Sequence, residues 1–171
     1  INTAHLKMKV LDVETTGLNV DKDDRIVSIG VLDIVTGATF YQCVNPGRSS
    51  CPEALRIHQL SDEFLSSQKT FSEIAENLLM FIGNDIIVAH NAPFDMTAVN
   101  TELKRCERGP LNNKVIDTLA LARSMFPGER CSLDNLCKRL SIDRGGREDK
   151  HDALHDCSLT KELFLKLTSS L

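Results

Sequence analysis

Apolar residues along the chain follow two periods, that of buried strands and that of helices. A nearly continuous apolar run predicts a buried strand over residues 9–13. Two further apolar segments, 25–34 and 38–44, enclose a Thr-Gly pair and predict a β-hairpin. Shorter apolar runs at 85–89 and 115–117 predict two more strands, which makes five strands in all.

Helical periodicity begins after Thr70. Thr70 and Glu73 have the spacing of a capping box, and apolar side chains then recur at helical intervals as far as Ile82. Strands first, followed by helices that alternate with short strands, predict one α/β domain over residues 1–171, with helices flanking a mixed sheet in three layers. The other predicted helices cover 91–105, 118–125, 133–140 and 152–167.

The composition is that of an ordinary globular protein. The 171 residues are 42% hydrophobic and 26% charged, and charges interrupt every apolar stretch before the length of about 18 residues that a membrane span needs. The six cysteines include no C-x-x-C pair, which argues against a zinc ribbon and gives no clear disulfide framework. Because Met8 resembles a natural start, Ile1–Lys7 is expected to be an extension or an added segment.

The net charge of −4 limits how this chain can contact nucleic acid. Proteins that grip nucleic acid through a broad face are basic. Any such contact must therefore depend on metal ions, a local groove or a tethering partner.

The most informative polar residues are Asp12 and Glu14, which lie two positions apart at the end of the first strand. Side chains at i and i+2 of a strand point to the same face, so the two carboxylates lie side by side. Mg²⁺ and Mn²⁺ prefer hard oxygen ligands, and a divalent cation between the two acids removes their repulsion. The alternative is a strand that simply ends in exposed turn acids.

Two more acidic clusters lie at the boundaries between elements. The segment HNAPFD (90–95) joins the fourth strand to a helix, and HDALHD (151–156) opens the last helix. Open α/β sheets hold ligands at such positions, which favours a site that includes Asp95 and Asp156. Taken singly, each cluster has the alternative of helix capping, because helix N-termini collect Asp for that reason alone.

The three clusters together resemble the DEDDh family of 3′→5′ exonucleases. The matching motifs are DVETTG (12–17), HNAPFD (90–95) and His151 five residues before Asp156, in that order. The segments CPEALRIH, DTLALAR and MFPG between them are similar too. Within this family the chain is most like the proofreading exonucleases of bacterial replicative polymerases. The resemblance covers Lys9 through Leu167 and implies a ribonuclease-H-like fold with a five-stranded mixed sheet.

The resemblance implies metal-dependent hydrolysis of DNA from the 3′ end, which releases nucleoside 5′-monophosphates. Two divalent cations, Mg²⁺ or Mn²⁺, are expected, with Asp12 as the bridge between them. Glu14 and Asp156 complete the shell of the first ion, and Asp95 holds the second through water. The four carboxylates then balance two divalent ions. His151 is expected to accept the proton of the attacking water, because an imidazole titrates near neutral pH.

The expected substrate-binding residues belong to the same motifs or lie near them. Glu53 and His58 are expected to contact the terminal nucleotide, and Phe94 to stack near its base. Their alternatives are incidental polar residues on a short helix after residue 52, and a core residue at a helix start. The charged segment 144–150 is expected to touch backbone phosphates. The full expected set is Asp12, Glu14, Thr15, Thr16, Gly17, Glu53, His58, Asn91, Phe94 and Asp156.

His151 and His155 have a spacing that faintly resembles the H-E-x-x-H helix of zinc proteases. That pattern needs Glu where this chain has Asp152, and it leaves the other carboxylates unused. We therefore expect a surface or packing role for His155. The only tyrosine, Tyr41, is far upstream, so the histidine version of the exonuclease motif is favoured over the tyrosine version.

Two other functions stay open at this stage: an RNA-trimming exonuclease of the same family, and a mainly structural module that binds a polymerase. The implied partners are single-stranded or frayed 3′ DNA ends, the catalytic subunit of DNA polymerase III and other subunits of its core, with no membrane. The implied location is the bacterial cytoplasm, at the nucleoid. The polymerase-binding tail of such proteins is not seen up to Leu171, so either the sequence is truncated or the protein works alone.

Overall fold

The computed structural model describes residues 7–169, whose central feature is a five-stranded mixed sheet in the order β3-β2-β1-β4-β5. The first three strands are antiparallel neighbours, whereas β4 lies parallel to β1 and β5 parallel to β4. The predicted sheet is confirmed, and all but the last residue of the predicted extension lies outside the described residues. The strands are β1 (Met8–Thr15), β2 (Ile26–Asp33), β3 (Thr39–Cys43), β4 (Ile86–Ala89) and β5 (Val115–Asp117).

Helices cover both faces of this sheet and produce the predicted three layers. Helices α3 and α4 share a core with one face, and α7 covers the other face, with α5 and α6 packed against it. No helix in the described part of the chain is both long and apolar enough to cross a membrane. The helices are α1 (Pro52–His58), α2 (Asp62–Ser66), α3 (Phe71–Ile82), α4 (Ala92–Arg105), α5 (Thr118–Met125), α6 (Leu133–Arg139) and α7 (Ala153–Thr168).

The central strand β1 directs alternate side chains into the two helical layers. Leu11 is buried in the core shared with α3 and α4, whereas Val10 is buried in the core shared with α7. Asp12 and Glu14 have the parity of Val10, so they point towards the α7 layer. The two acids therefore face the helix that carries the third motif.

Strand β1 continues past residue 13, its predicted end, and ends at Thr15. Asp12 pairs with Gly30 of β2, and Glu14 pairs with Ser28, with a shift of register directly after Glu14. Both acids thus lie inside the paired strand rather than in the turn that follows it. Their backbone direction is fixed by the sheet.

Helix α7 passes very close to β2 at Gly30. A Cβ atom on Gly30 would lie 2.9 Å from the backbone nitrogen of Leu154, so only glycine permits this approach without a shift of the helix. One turn further on, the fully buried Sγ–H of Cys157 donates to the carbonyl oxygen of Gly30 at 3.3 Å. The first turn of α7, which contains Asp156, is thereby set against the middle of the sheet.

Two details of the helices differ from or refine the sequence prediction. Helix α2 is not predicted, because its five residues are too few to show a helical period, although Ser61 caps it by accepting from the N–H of Phe64. The capping box is confirmed, since the side chain of Thr70 accepts from the N–H of Glu73 and Glu73 accepts from the N–H of Thr70.

Candidate active site

The four predicted carboxylates converge where the end of β1 meets the first turns of two helices. Asp12 and Glu14 come from β1, Asp95 from the first turn of α4, and Asp156 from the first turn of α7. Ligand atoms of Glu14, His151 and Asp156 lie within 4.8 Å of one another. Asp12 and Asp95 belong to the same group, because the charges of Asp95, Asp156 and Glu14 all act on the pKa of Asp12.

Burial and mutual repulsion disfavour ionisation of these acids. Burial raises the pKa of Asp12 well above its usual value, and the negative charges of Asp95, Asp156 and Glu14 raise it further. The pKa of Glu14 is raised to about 8, chiefly by burial and then by Asp156. Burial is also the main reason why the pKa values of Asp95 and Asp156 are raised. Such a group of acids therefore holds protons more readily than ordinary carboxyls unless positive charge lies nearby.

Two oxygens of this group are well suited to bind a cation. The Oδ2 atoms of Asp12 and Asp95 are buried and have no hydrogen-bond partner among the described residues. Buried polar atoms in proteins are usually hydrogen-bonded, so each unpaired one needs an explanation. Carboxylate oxygens are the preferred ligands of hard divalent cations, and the residues present therefore fit such an ion.

His151 lies in the segment that joins α6 to α7, two positions before the helix begins. Its backbone N–H donates to the carbonyl oxygen of Ile57 at 2.9 Å, which ties this segment to α1. Burial lowers the pKa of His151, the positive charge of Arg147 lowers it further, and Asp156 acts in the opposite direction. The imidazole is therefore neutral at pH 7 and can accept a proton.

Asp117, which the sequence did not single out for a role, fixes the turn that leads to Asp95. Its Oδ1 accepts from the backbone N–H groups of Asn91 at 2.9 Å, Ala92 at 3.2 Å and Leu119 at 3.0 Å. Asn91 has a left-handed backbone with φ of 67°, which starts α4 sharply after β4. One carboxylate thus holds the first residues of α4 and α5 together at the end of the sheet.

A groove of 630 Å³ opens beside Glu14 and His151. Leu18, which the sequence did not predict as a site residue, is 84% exposed and forms part of its wall. The sequence signal for Leu18 is weak: an apolar residue directly after the glycine of the first motif. The lining residues are Val13, Glu14, Thr15, Gly17, Leu18, Asn19, Asp24, Cys51, Glu53, Ala54, Ile57, Phe94 and His151.

Three residues of the expected substrate-binding set lie neither in this lining nor among the four carboxylates. His58 is only 1% exposed; its Nδ1 accepts from the N–H of Leu60, and its Nε2 is 3.0 Å from the Oγ of Ser50. Thr16 is fully buried, and Asn91 is exposed on the turn described above. The other members of the set lie in the groove or among the four carboxylates, whereas these three residues lie outside both.

Arg147 is the cation that sequence reasoning did not place in the site. Its Nε donates to Oδ1 of Asp156 at 2.9 Å, and its Nη1 lies 2.6 Å from Oδ2 of Asp134 on α6. The segment 144–150 is expected to touch backbone phosphates, but the side chain of Arg147 points inward to these two acids and is 11% exposed. Its only sequence signal is a basic residue four positions before His151.

His155 has a packing contact in place of a role in the carboxylate cluster. Its Nε2 lies 2.7 Å from the carbonyl oxygen of Arg144, to which it can donate. A Cβ on Gly145 would lie 3.0 Å from the His155 ring, so the segment 143–150 lies directly over this histidine. This arrangement agrees with the expected packing role.

The sheet order and the convergent carboxylates define the class of protein, a nuclease domain of the ribonuclease-H-like type. The sequence matches the family model described as exonuclease, RNase_T, over residues 10–164. The chain belongs to this exonuclease family.

Curated relatives narrow the class further. The chain is 42% identical over 171 residues to DNA polymerase III subunit epsilon of Rickettsia felis, and the match covers 95% of this chain and 74% of the relative. It is 39% identical over 180 residues to the protein of the same name from Escherichia coli K12, with 98% of this chain and 74% of the relative covered. These matches identify the chain as a 3′→5′ exonuclease, as the motifs imply.

Solved structures support the same fold. Exonuclease X in complex with 5′ overhanging duplex DNA matches with a TM-score of 0.73 at 25% identity, over 95% of this chain and 92% of that one. The zinc-bound form of an E. coli exonuclease I complex with single-stranded DNA matches with a TM-score of 0.83 over 96% of this chain and 40% of that one. At 18% identity, the second match supports the fold alone.

Proposed function

We propose that this exonuclease removes nucleotides one at a time from the 3′ end of DNA, releases nucleoside 5′-monophosphates, and proofreads newly made DNA. The observation that carries the proposal is the meeting of four carboxylates and one neutral imidazole beside a groove. A volume of 630 Å³ is in the range that small-molecule sites occupy, so the groove has room for a terminal nucleotide. The relatives named as subunits of a replicative polymerase support DNA as the substrate.

Two divalent cations, Mg²⁺ or Mn²⁺, are the proposed cofactors. Asp12, Glu14 and Asp156 would hold the first ion, and Asp12 and Asp95 would hold the second, so that Asp12 would serve both. When bound, such a pair activates the attacking water and stabilises the leaving oxygen. The unpaired Oδ2 atoms of Asp12 and Asp95 support this assignment, and four negative charges balance two divalent ions.

His151 is the proposed proton acceptor. Its lowered pKa keeps the ring unprotonated at neutral pH, and its proximity to Glu14 and Asp156 puts it beside the reacting groups. A positioned general base of this kind contributes about 10²–10⁴-fold to a rate. Its place on a connecting segment, ahead of α7, leaves the ring at the edge of the groove.

The groove is proposed to hold the terminal nucleotide. Phe94 and Leu18 offer apolar surfaces for the bases, and the backbone of residues 15–17 forms the edge along which the nucleotide lies. The Glu53 side chain is 78% exposed, and within residues 7–169 its one ion pair is with Arg56, so it is available for a sugar hydroxyl. The contacts expected of Thr16, His58 and Asn91 stay predictions.

The proposed partner is the catalytic subunit of DNA polymerase III, together with other subunits of its core. The names of the relatives support this partnership, and the chain spans about three quarters of their length, 74% in the two cases given above. We infer that the chain forms one exonuclease domain that acts in the cytoplasm at the nucleoid. An acidic nuclease of net charge −4 gains from a partner that presents the DNA end.

The test is hydrolysis of a 5′-labelled single strand with Mg²⁺ or Mn²⁺, using DNA and RNA of the same sequence. We expect a ladder of DNA shortened from the 3′ end, free nucleoside 5′-monophosphates, and no reaction in EDTA. Faster degradation of the RNA strand would favour the RNA-trimming function. In a separate binding assay, a chain that binds the polymerase catalytic subunit but degrades neither strand would favour the structural module. Full activity in EDTA would contradict the metal mechanism.

A further inference from the structure

The guanidinium of Arg147 lies inside the group of acids rather than on the surface. It is held between two carboxylates from two helices, Asp156 of α7 at 2.9 Å and Asp134 of α6 at 2.6 Å. Of these partners, Asp156 is 4% exposed in its side chain and Asp134 is 39% exposed. Arg147 therefore links a buried acid of the active site to an acid at the protein surface.

The charge of this arginine reaches the rest of the site. It acts to lower the pKa values of Asp12 and Glu14, against the effect of burial, and it lowers the pKa of His151. It also acts to lower the pKa of Asp156, against burial, which raises that pKa. Arg147 thus supplies part of the charge that a divalent ion would supply.

The segment that carries Arg147 is attached through side chains at a few points. Arg144 lies 3.4 Å from Asp134 and pairs with Glu148, and the ring of His155 reaches the carbonyl oxygen of Arg144. None of these contacts involves Asp156. The segment can therefore stay attached to α6 and α7 while Arg147 releases that one carboxylate.

We propose that Arg147 holds Asp156 in the metal-free enzyme and gives it up when a divalent cation binds, remaining on Asp134. This rests on the metal site proposed above. The guanidinium and the ion compete for the same buried carboxylate, and two positive charges repel strongly where water is excluded. Asp134 offers the displaced guanidinium a second carboxylate within its present reach. Arg147 is thus a resident counter-cation whose departure is coupled to metal loading.

The first test is the affinity of the full chain for Mn²⁺, measured by titration calorimetry without substrate. Removing the competitor in Arg147→Met should tighten Mn²⁺ binding by about fivefold or more, the usual lower end of coupling between two ligands. Arg147→Lys keeps the charge and should stay close to the wild type. The matched control is Arg144→Met, which removes the same charge from the same segment but no contact with Asp156, and should change the affinity less than twofold.

The second test is thermal unfolding of the same variants. Because Arg147 is proposed to stabilise Asp156 only when metal is absent, Arg147→Met should lower the Tm in EDTA and leave the Tm in saturating Mn²⁺ unchanged relative to wild type. An arginine with a merely structural role would lower both values equally. If the Met variant does not fold, Arg147→Gln removes the charge but keeps a donor for Asp156, and the same signs apply.

Three results would overturn the proposal. Unchanged or weaker Mn²⁺ binding by both neutral variants would show that Arg147 does not compete with the ion. An equal loss of Tm with and without Mn²⁺ would show that it stays on Asp156. A wild-type chain that binds no Mn²⁺ would overturn the metal site as well, and that result is visible without any variant.

Discussion

The active site has two halves that are held in place by different kinds of interaction. We call Asp12 and Glu14 the strand half, and Arg147 and His151 the segment half. Asp12 and Glu14 lie in the central strand, which is hydrogen-bonded to β2 on one side and to β4 on the other. His151 and Arg147 lie on the segment between α6 and α7, which is held by ion pairs and single hydrogen bonds. Sheet hydrogen bonds fix direction, whereas side-chain contacts can be exchanged.

This difference suggests a division of labour within the site. The strand half supplies ligands whose positions do not depend on charge, since the backbone of Asp12 is paired whether or not its carboxyl is ionised. The segment half supplies the groups that handle charge, namely a proton acceptor and a counter-cation. A nuclease needs both, because its metal ions must be fixed while a proton and a product leave.

Asp12→Asn changes the strand half and should have the largest effect on the rate of hydrolysis. The amide cannot bridge two cations, so we expect kcat on 3′ DNA ends to fall by about 10³-fold or more, which corresponds to the loss of several kcal/mol of metal-ion stabilisation. The variant should still fold, and its Tm in EDTA should rise, because it removes a buried acid that repels its neighbours. Activity assays and unfolding in EDTA check both signs.

A lower Tm of Asp12→Asn in EDTA would contradict the repulsion between Asp12 and the neighbouring acids. Wild-type activity with an unchanged requirement for Mg²⁺ would contradict the metal-binding role given to Asp12. The second result would mean that the strand half does not hold the metal ions.

His151→Gln changes the segment half and should have the next largest effect on the rate of hydrolysis. Loss of the proton acceptor should lower kcat by about 10²-fold or more and remove the fall of the rate at acid pH, while Mn²⁺ affinity changes little. His155→Gln is the matched control, because it alters the nearby histidine in the first turn of α7 and can keep a donor to the carbonyl of Arg144. A pH–rate profile that is the same in wild type and His151→Gln would rule out the proton-acceptor role.

The strand half was predictable from sequence and much of the segment half was not. Asp12 and Glu14 follow from the two-residue period of a strand, and this local signal survives folding. Arg147 and Asp117 take their roles from contacts with residues distant in sequence or across elements, for which a linear pattern carries no signal. His58 matches a motif position but lies buried with both ring nitrogens hydrogen-bonded, because the fold of the preceding loop, not the spacing, decides its direction.

Gly30→Ala should displace α7 relative to the strand half, with a moderate effect on stability and on kcat. The added Cβ would meet the backbone of Leu154, so α7 must shift, at a cost of about 1–3 kcal/mol in the free energy of unfolding. Asp156 moves with the helix, and we expect kcat to fall roughly tenfold, less than for a full ångström of misplacement. Urea unfolding and steady-state kinetics measure the two effects.

Gly109→Ala is the control for this substitution. Its Cβ would have no atom within 4 Å among the described neighbours, so both stability and kcat should stay near wild type. A stability loss in Gly30→Ala with unchanged kcat would mean that the segment half adjusts fully to a shifted helix. No loss of either quantity would contradict the close approach of α7 to β2.

The smallest predicted effect is a pH dependence of stability that differs with and without metal. Between pH 7 and pH 8 the carboxyl of Glu14 still holds a proton in the folded chain, since its pKa is raised to about 8, but it is ionised in the unfolded chain. The unfolded state then binds fewer protons, so the free energy of unfolding falls as pH rises through this window. Below about pH 6.5, His58, His90 and His151, whose pKa values are lowered, contribute a slope of the opposite sign.

Metal binding should remove this slope, because a divalent cation favours the ionised carboxylates. We expect the Tm in EDTA to fall by several degrees from pH 7 to pH 8.5, and the Tm in saturating Mg²⁺ to stay level over the same window. Glu14→Gln should have a shallower slope in EDTA than the wild type, since it lacks one of the carboxyls that lose a proton as the pH rises. Equal slopes with and without Mg²⁺ would mean that the ion does not bind the carboxyls that titrate in this window, Glu14 among them.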